Sequence, residues 1–208
     1  MFYQTEQEHT FPKKILNSIV IPRPIGWIST ISSDGIPNLA PYSFFNAVSY
    51  TPPQVMFATT SNHNFGGLKD SVANAQKTGE FVINIATYEF RKQMNASSVP
   101  APHEIDEFQY VGLTKKRSKI VNCPSVKESP IQLECKYTKS VSLLTDNKDE
   151  PNIVVFGKVV GVNVEDQFIV DGNIDYIKIR PLGRLGSEDF VDVNNSFSMK
   201  RPDWNQKT

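Results

Sequence analysis

Cysteine is scarce: Cys123 and Cys135 are the only two in 208 residues, too few to staple a chain this long into a disulfide scaffold. Histidine is sparse as well, with His9, His63 and His103. Neither type falls at metal-ligand spacing, so no structural zinc is expected. No apolar run approaches the ~18 residues of a membrane span, and Met1–Thr10 is polar and acidic without a signal-peptide core. Neither charge is in excess: Lys+Arg and Asp+Glu both count 22, for a formal net charge of zero. Nucleic acid normally requires a concentrated basic face, and the one basic run, Lys115–Lys119, reads as a solvated loop. The G-x-x-x-x-G-K-[ST] phosphate loop, the G-x-G-x-x-G dinucleotide fingerprint and the G-x-S-x-G nucleophile elbow are all missing. These absences point to a cytoplasmic protein with no membrane and no nucleic-acid partner. If it is an enzyme, the hard chemistry belongs to a bound cofactor.

What is present sorts into strands more readily than helices. Ile25–Ile31 is rich in β-branched and aromatic residues, as strands prefer. Ser32-Ser33-Asp34-Gly35 supplies turn chemistry, with a glycine free to take positive φ, and the return leg runs into Ser43-Phe44-Phe45-Asn46. In a continuing strand, Ser43 and Phe45 would share one face, Phe44 and Asn46 the other. Gln54–Thr60 reads as a buried strand and Ser61–Gly67 as a loop. Leu68, Val72 and Ala75 fall at helical spacing, with Asp70 or Ser71 to cap the start and Gly79 to end it. Phe81–Ala86 alternates as a strand, Tyr88–Ala96 suits a short helix, and another short helix opens near Thr10-Phe11-Pro12. Residues 97–130 carry prolines and little periodicity, a long excursion of the kind that covers a site. Further strands are expected over Ile131–Leu144, Asn152–Val164 and Asp175–Ile179. Many strands, few helices and no break in composition predict one mainly β domain over 1–208, an antiparallel barrel with short flanking helices. An arm of about ten residues precedes it and a tail follows from about residue 200.

Six segments in order carry a family likeness: Arg23–Asn46, Lys69-Asp70-Ser71, Phe81–Asn84, Met94–Ser98, Asp106-Glu107-Phe108 and Gly183–Gly186. Together they span roughly residues 11–202 and resemble the flavin reductase-like family of FMN-binding split-barrel proteins, flavoredoxin-like members included. The resemblance implies a Greek-key split β-barrel that pairs into a homodimer and holds FMN. It further implies an oxidoreductase in which NADH or NADPH passes hydride through FMN to an acceptor. The alternative is a non-catalytic, flavoredoxin-like carrier that serves a redox protein partner, and a third reading is a member that has lost flavin for another ligand.

An FMN site needs a phosphate anchor, donors for the pyrimidine edge of the ring, and a wall to stack on. Lys69, Asp70 and Ser71 supply the anchor: free N–H groups at a helix start attract phosphate, Lys69 adds charge and Ser71 a hydroxyl. Asp70 suits such a site only if it points away to cap the helix. Backbone amides of the Ser43, Phe44, Phe45 and Asn46 segment suit the ring, leaving their side chains for the ribityl chain and ring edges. Thr60, Ser61 and Asn62 stand ready along the ribityl chain. Trp27 by pattern is a core residue or a wall for the flavin, and the resemblance sets it beside the cofactor, with Ser29 and Thr30 on the same strand; Gln93 and Asn95 are candidates to reach across from a second subunit. No side chain is assigned a catalytic role. His63 is weighed as a proton donor or nicotinamide contact against a plain solvated loop histidine, and Arg184 and Trp204 read as structural.

Overall fold

The computed structural model describes residues 15–147 and 150–204, together with 2, 4 and 5. The helix expected to open at Thr10 lies outside these residues up to Lys14; a single helical turn, Leu16–Ile19, follows.

Seven antiparallel strands form the main sheet: β1 (Gly26–Ile31), β2 (Pro37–Tyr42), β3 (Phe45–Tyr50), β4 (Pro53–Thr59), β5 (Glu80–Ile85), β6 (Ile131–Ser142) and β7 (Ile153–Val164). Their order is β2-β1-β5-β6-β7-β4-β3. The two edge strands, β2 and β3, are consecutive in the chain and joined only by Ser43 and Phe44. The Phe44 carbonyl accepts from the Ala58 N–H at 2.8 Å. The sheet curls on itself and stays open at this corner, a split barrel as expected.

The local signals explain the edges. Ser32 Oγ accepts from the Asp34 and Ile36 N–H groups, and Gly35 takes φ +83°, so the β1–β2 turn forms where turn chemistry was read. Helix α1 (Asp70–Thr78) buries Val72 and Ala75 and ends at Gly79 in the left-handed region. Helix α2 covers Arg91–Ala96, shorter than expected at its start. Asp175–Ile179 is not a strand: the Asp175 carboxylate caps the Lys178 N–H at 2.9 Å and sets up a helical turn, Tyr176–Ile179. Two short strands that sequence reading passed over form a small sheet with Arg23–Pro24: Leu182–Arg184 pairs with it, and Phe190–Asp192 pairs with Leu182–Arg184.

Two apolar clusters sit on opposite faces of the barrel wall. Ile28, Phe57, Phe81, Ile83 and Val155 fill the interior. Trp27, Leu39, Met94, Phe108 and Val126 pack outside it, beneath the excursion and α2. Neighbours Trp27 and Ile28 therefore enter different clusters and both are buried, the result of period-two alternation in a strand covered on both sides. The excursion is held down by side chains standing in for a strand. Glu134 accepts from the N–H groups of Lys119, Ile120 and Val121 at 2.8, 2.6 and 3.1 Å, Glu80 from Asn122 at 2.7 Å, and Asn84 Oδ1 from Val126 at 2.8 Å.

Candidate functional site

The open corner of the barrel is where grooves converge. The largest, about 450 Å³, runs over Phe44, Phe45, Met56, Val154 and Leu143, with Asn46 and Thr60 at its polar points. A second, about 250 Å³, shares Ser43, Phe44 and Thr60 with the first and continues past Ser61 to Lys69. A third, about 140 Å³, picks up at Lys69 and passes Asp70, Ser71, Ser97 and Glu107. A small fourth joins Ser43 to Asn95, Ser98 and Arg184. Strung together, they give one apolar end and one polar end, with Ser43 and Phe44 at the join.

Ser43 and Phe44 form a bend between two strands, not the continuous strand that the sequence suggested. The bend turns Phe44 outward, 39% exposed, while Phe45 is drawn into the barrel interior. Asn46 is exposed and its Oδ1 accepts from the following N–H. Tyr42 completes the join; its ring lies 5.1 Å from that of Phe57, and burial pushes its hydroxyl up to about 12.

At the polar end, Lys69 rather than Asp70 or Ser71 is the N-cap of α1, and no side chain caps the helix. The first N–H groups of a helix have no partner of the i−4 kind; that of Val72 is taken up by the Lys69 carbonyl at 2.8 Å, which leaves those of Asp70 and Ser71 beside the Lys69 ammonium. Ser71 is nearly inaccessible and donates its hydroxyl proton to Asn38 Oδ1 at 2.8 Å. Asn38 Nδ2 in turn donates to both carboxylate oxygens of Glu107, at 3.1 and 3.2 Å, and the Leu39 N–H adds a bond at 3.0 Å. Burial lifts the Glu107 carboxyl to about 7 against these bonds. The Asp70 carboxylate does not cap the helix and is engaged by two histidines, His63 Nε2 at 3.3 Å and His103 Nδ1 at 2.6 Å. His63 Nδ1 accepts from the Phe65 N–H at 3.2 Å, which leaves no ring nitrogen free for proton donation to a ligand.

The structure places Trp27, Ser29 and Thr30 apart from these grooves. Trp27 is 1% exposed, donates its indole N–H to Ser97 Oγ at 2.9 Å, and lines no groove. Ser29 donates to the Pro124 carbonyl beneath the excursion, and buried Thr30, on the other face of the strand, donates to Asn38 Oδ1 and accepts from Asn74 of α1. Gln93 is half-buried on α2 and lines none of these grooves, whereas Asn95 reaches the Ser43 groove within its own chain. Asn62 lies in the loop beyond Ser61 and is half-buried. Sequence reading missed Asn38, Tyr42 and His103 as parts of the site, and quoted Glu107 without a role; contacts across 15 to 69 positions reveal them.

Residues 18–177 match the family described as flavin reductase like domain. The chain belongs to that family. An uncharacterised protein of Aquifex aeolicus is 40% identical over 188 residues, 90% of this chain and 92% of its own. The crystal structure of nitrilotriacetate monooxygenase component B from Bacillus cereus superposes with a TM-score of 0.87 at 27% identity, covering 96% of this chain and 98% of that one. Flavoredoxin of Desulfovibrio vulgaris shares the fold, with a TM-score of 0.74 at 18% identity over 99% and 100% of the two chains. Among the described residues no helix is long and apolar enough to cross a membrane.

Proposed function

We propose that the protein binds FMN along the joined grooves and works as an NADH- or NADPH-dependent oxidoreductase of the flavin reductase kind. The observation that carries this reading is the polarity of the cleft: an apolar end large enough for a flat ring and a cationic helix start at the other end. Pockets of roughly 300–1,000 Å³ with a few convergent polar groups are the usual size for ligands of this class. FMN supplies the hydride chemistry when bound.

The chain's own residues bind and orient. Phe44 and the Met56–Val154 wall cover one face of the ring, and Ser43, Asn46 and Thr60 mark its polar edges. Ser61 lines the path to Lys69, whose ammonium and adjoining N–H groups hold the phosphate end by charge-assisted hydrogen bonds. No side chain in the grooves is cast as an acid or base, which accords with an orienting role.

A homodimer completes the reading. Leu143 is 52% exposed at the rim of the large groove and Leu144 beside it 97%, with Val48 and Tyr50 exposed on edge strand β3. A two-fold partner would cover these side chains and bury the same patch on both copies. Both thiols are free and buried, in keeping with a cytoplasmic setting. A redox protein partner is the acceptor if free flavin is not.

The test is the visible spectrum of the purified protein, followed by FMN titration and then NADH and NADPH oxidation with free flavin. Bands in the near-ultraviolet and blue, with quenched flavin fluorescence, are expected. A colourless protein that does not quench FMN overturns the reading; bound flavin without nicotinamide oxidation supports the carrier instead.

A further inference from the structure

The chain has three histidines, and two of them, 40 positions apart, meet on one carboxylate. His63 comes from the loop after β4, Asp70 opens α1, and His103 comes from the excursion. One ligand atom from each lies within 4.8 Å of the others. The two imidazole rings stack at 4.1 Å with 28° between planes. His63 is buried, Asp70 is partly covered, and the His103 side chain is 45% exposed, so the cluster has a closed side and an open one.

We propose that His63 Nε2, Asp70 and His103 Nδ1 form a site for a divalent cation of the zinc class, with its fourth position open to water. Two imidazoles and a carboxylate are a donor set that suits zinc, and an open position is the usual arrangement when only three protein ligands are present. Tetrahedral zinc with donors at about 2.0–2.1 Å keeps neighbouring donors about 3.3 Å apart. The His63–Asp70 separation is already 3.3 Å. The 2.6 Å His103–Asp70 contact opens by several tenths of an ångström, which an exposed side chain on the excursion accommodates.

The surroundings suit metal ligands. Beyond Asp70, the His103 ring has a backbone hydrogen-bond partner at Gly66. Backbone partners of this kind orient metal-bound imidazoles. Glu104 adds negative charge nearby, whereas Lys69 opposes it. Metal on Nε2 requires the proton of His63 on Nδ1, so the 3.2 Å Phe65 N–H contact must be given up. Phe65 is followed by Gly66 and Gly67, both at positive φ, where the backbone can adjust. The cation would brace the loop, the start of α1 and the excursion against each other. This inference is independent of flavin.

The experiment uses the full chain without an affinity tag, stripped with a chelator. Zn²⁺ is titrated calorimetrically and Co²⁺ by visible absorption. One cation per chain is expected, with Co²⁺ bands typical of nitrogen and oxygen ligation and a Zn²⁺-dependent rise in melting temperature. His103→Ala, at an exposed position, should weaken Zn²⁺ at least about tenfold and abolish the thermal shift; His63→Ala should do the same, and His9→Ala should not. Failure of Zn²⁺ to bind in excess, or binding unchanged in His103→Ala, overturns the proposal and leaves a hydrogen-bonded His–Asp–His cluster.

Discussion

The hydroxyl of Ser71 donates to Oδ1 of Asn38 at 2.8 Å, deep beneath the surface. A phosphate dianion takes only donors, and this proton is already committed. On the proposed reading the bond divides this segment into two jobs: Lys69 and the free helix N–H groups would face the ligand, while Ser71 ties α1 to β2.

That division predicts different consequences for two neighbours. Lys69→Ala should weaken FMN by roughly 10- to 100-fold, since charge-assisted bonds are worth about 1.5–3 kcal/mol, and should leave riboflavin nearly unchanged. Ser71→Ala should shift FMN and riboflavin together and by little, yet lower stability by about 1 kcal/mol through loss of its bond to Asn38 Oδ1, which keeps only the longer 3.3 Å bond from Thr30. Fluorescence titrations with both ligands and urea midpoints separate the cases. Equal loss of the two ligands in Lys69→Ala would assign Lys69 to the fold or the ring.

The other end of the same network sets a pH dependence. Glu107 ionises near 4.5 unfolded and about 7 folded, because burial disfavours its charge. The native state therefore holds this proton more tightly. The stabilisation is complete below about pH 4.5 and is lost as pH rises through about 7. The shift is worth about 3 kcal/mol at most. Glu107→Gln should flatten the stability difference between about pH 5 and pH 8, while the mismatch of its amide with Asn38 costs the same at every pH. Denaturant midpoints at the two pH values check this; an unchanged slope would mean that Glu107 is solvated in the native state.

Much of this was legible in the sequence where the signal is local. Gly35 and Gly79 punctuate a turn and a helix end because few other residues tolerate their φ, and Lys69 lies at a helix start that spacing alone located. Trp27 and Ser29 lie on the outer face of β1, which is covered by residues some 70 to 95 positions later in the chain, and no periodicity in β1 carries that information. The partner of Ser71, Asn38 on β2, lies 33 positions earlier in the chain, out of reach of any local signal. Asp175–Ile179 carries a strand-like composition, and a single capping carboxylate decided the matter against it.

Tight packing gives a third prediction. A Cβ at Gly157 on β7 would stand 2.3 Å from Cζ of Phe81 and 2.6 Å from Cε1, inside the barrel core. Overpacking of this kind costs about 1–3 kcal/mol. Gly157→Ala should lower the melting temperature by roughly 2–10 °C for a chain of this size, and Phe81→Leu in the same protein should restore part of the loss. A wild-type melting temperature in the single variant would show that the ring has room to move.

Glu134 offers the last prediction, because one carboxylate holds three consecutive N–H groups of the excursion. Replacement by alanine orphans the donors of Lys119, Ile120 and Val121 and leaves a hollow beside them. Replacement by glutamine retains a single acceptor oxygen. Each bond to a charged acceptor is worth about 1.5–3 kcal/mol singly, and three bonds to one group add less than their sum. Hydrogen exchange at residues 119–121 should therefore accelerate in the order wild type, Glu134→Gln, Glu134→Ala. Strands β5 and β7 have their own ladders and should keep most of their protection. The groove past Ser97 and Glu107 is walled by the same excursion, so FMN affinity should fall modestly and in the same order. Uniform loss of protection across the barrel would mean that Glu134 supports the whole fold, and unchanged exchange at 119–121 would mean that Glu80 and Asn84 suffice to hold the excursion.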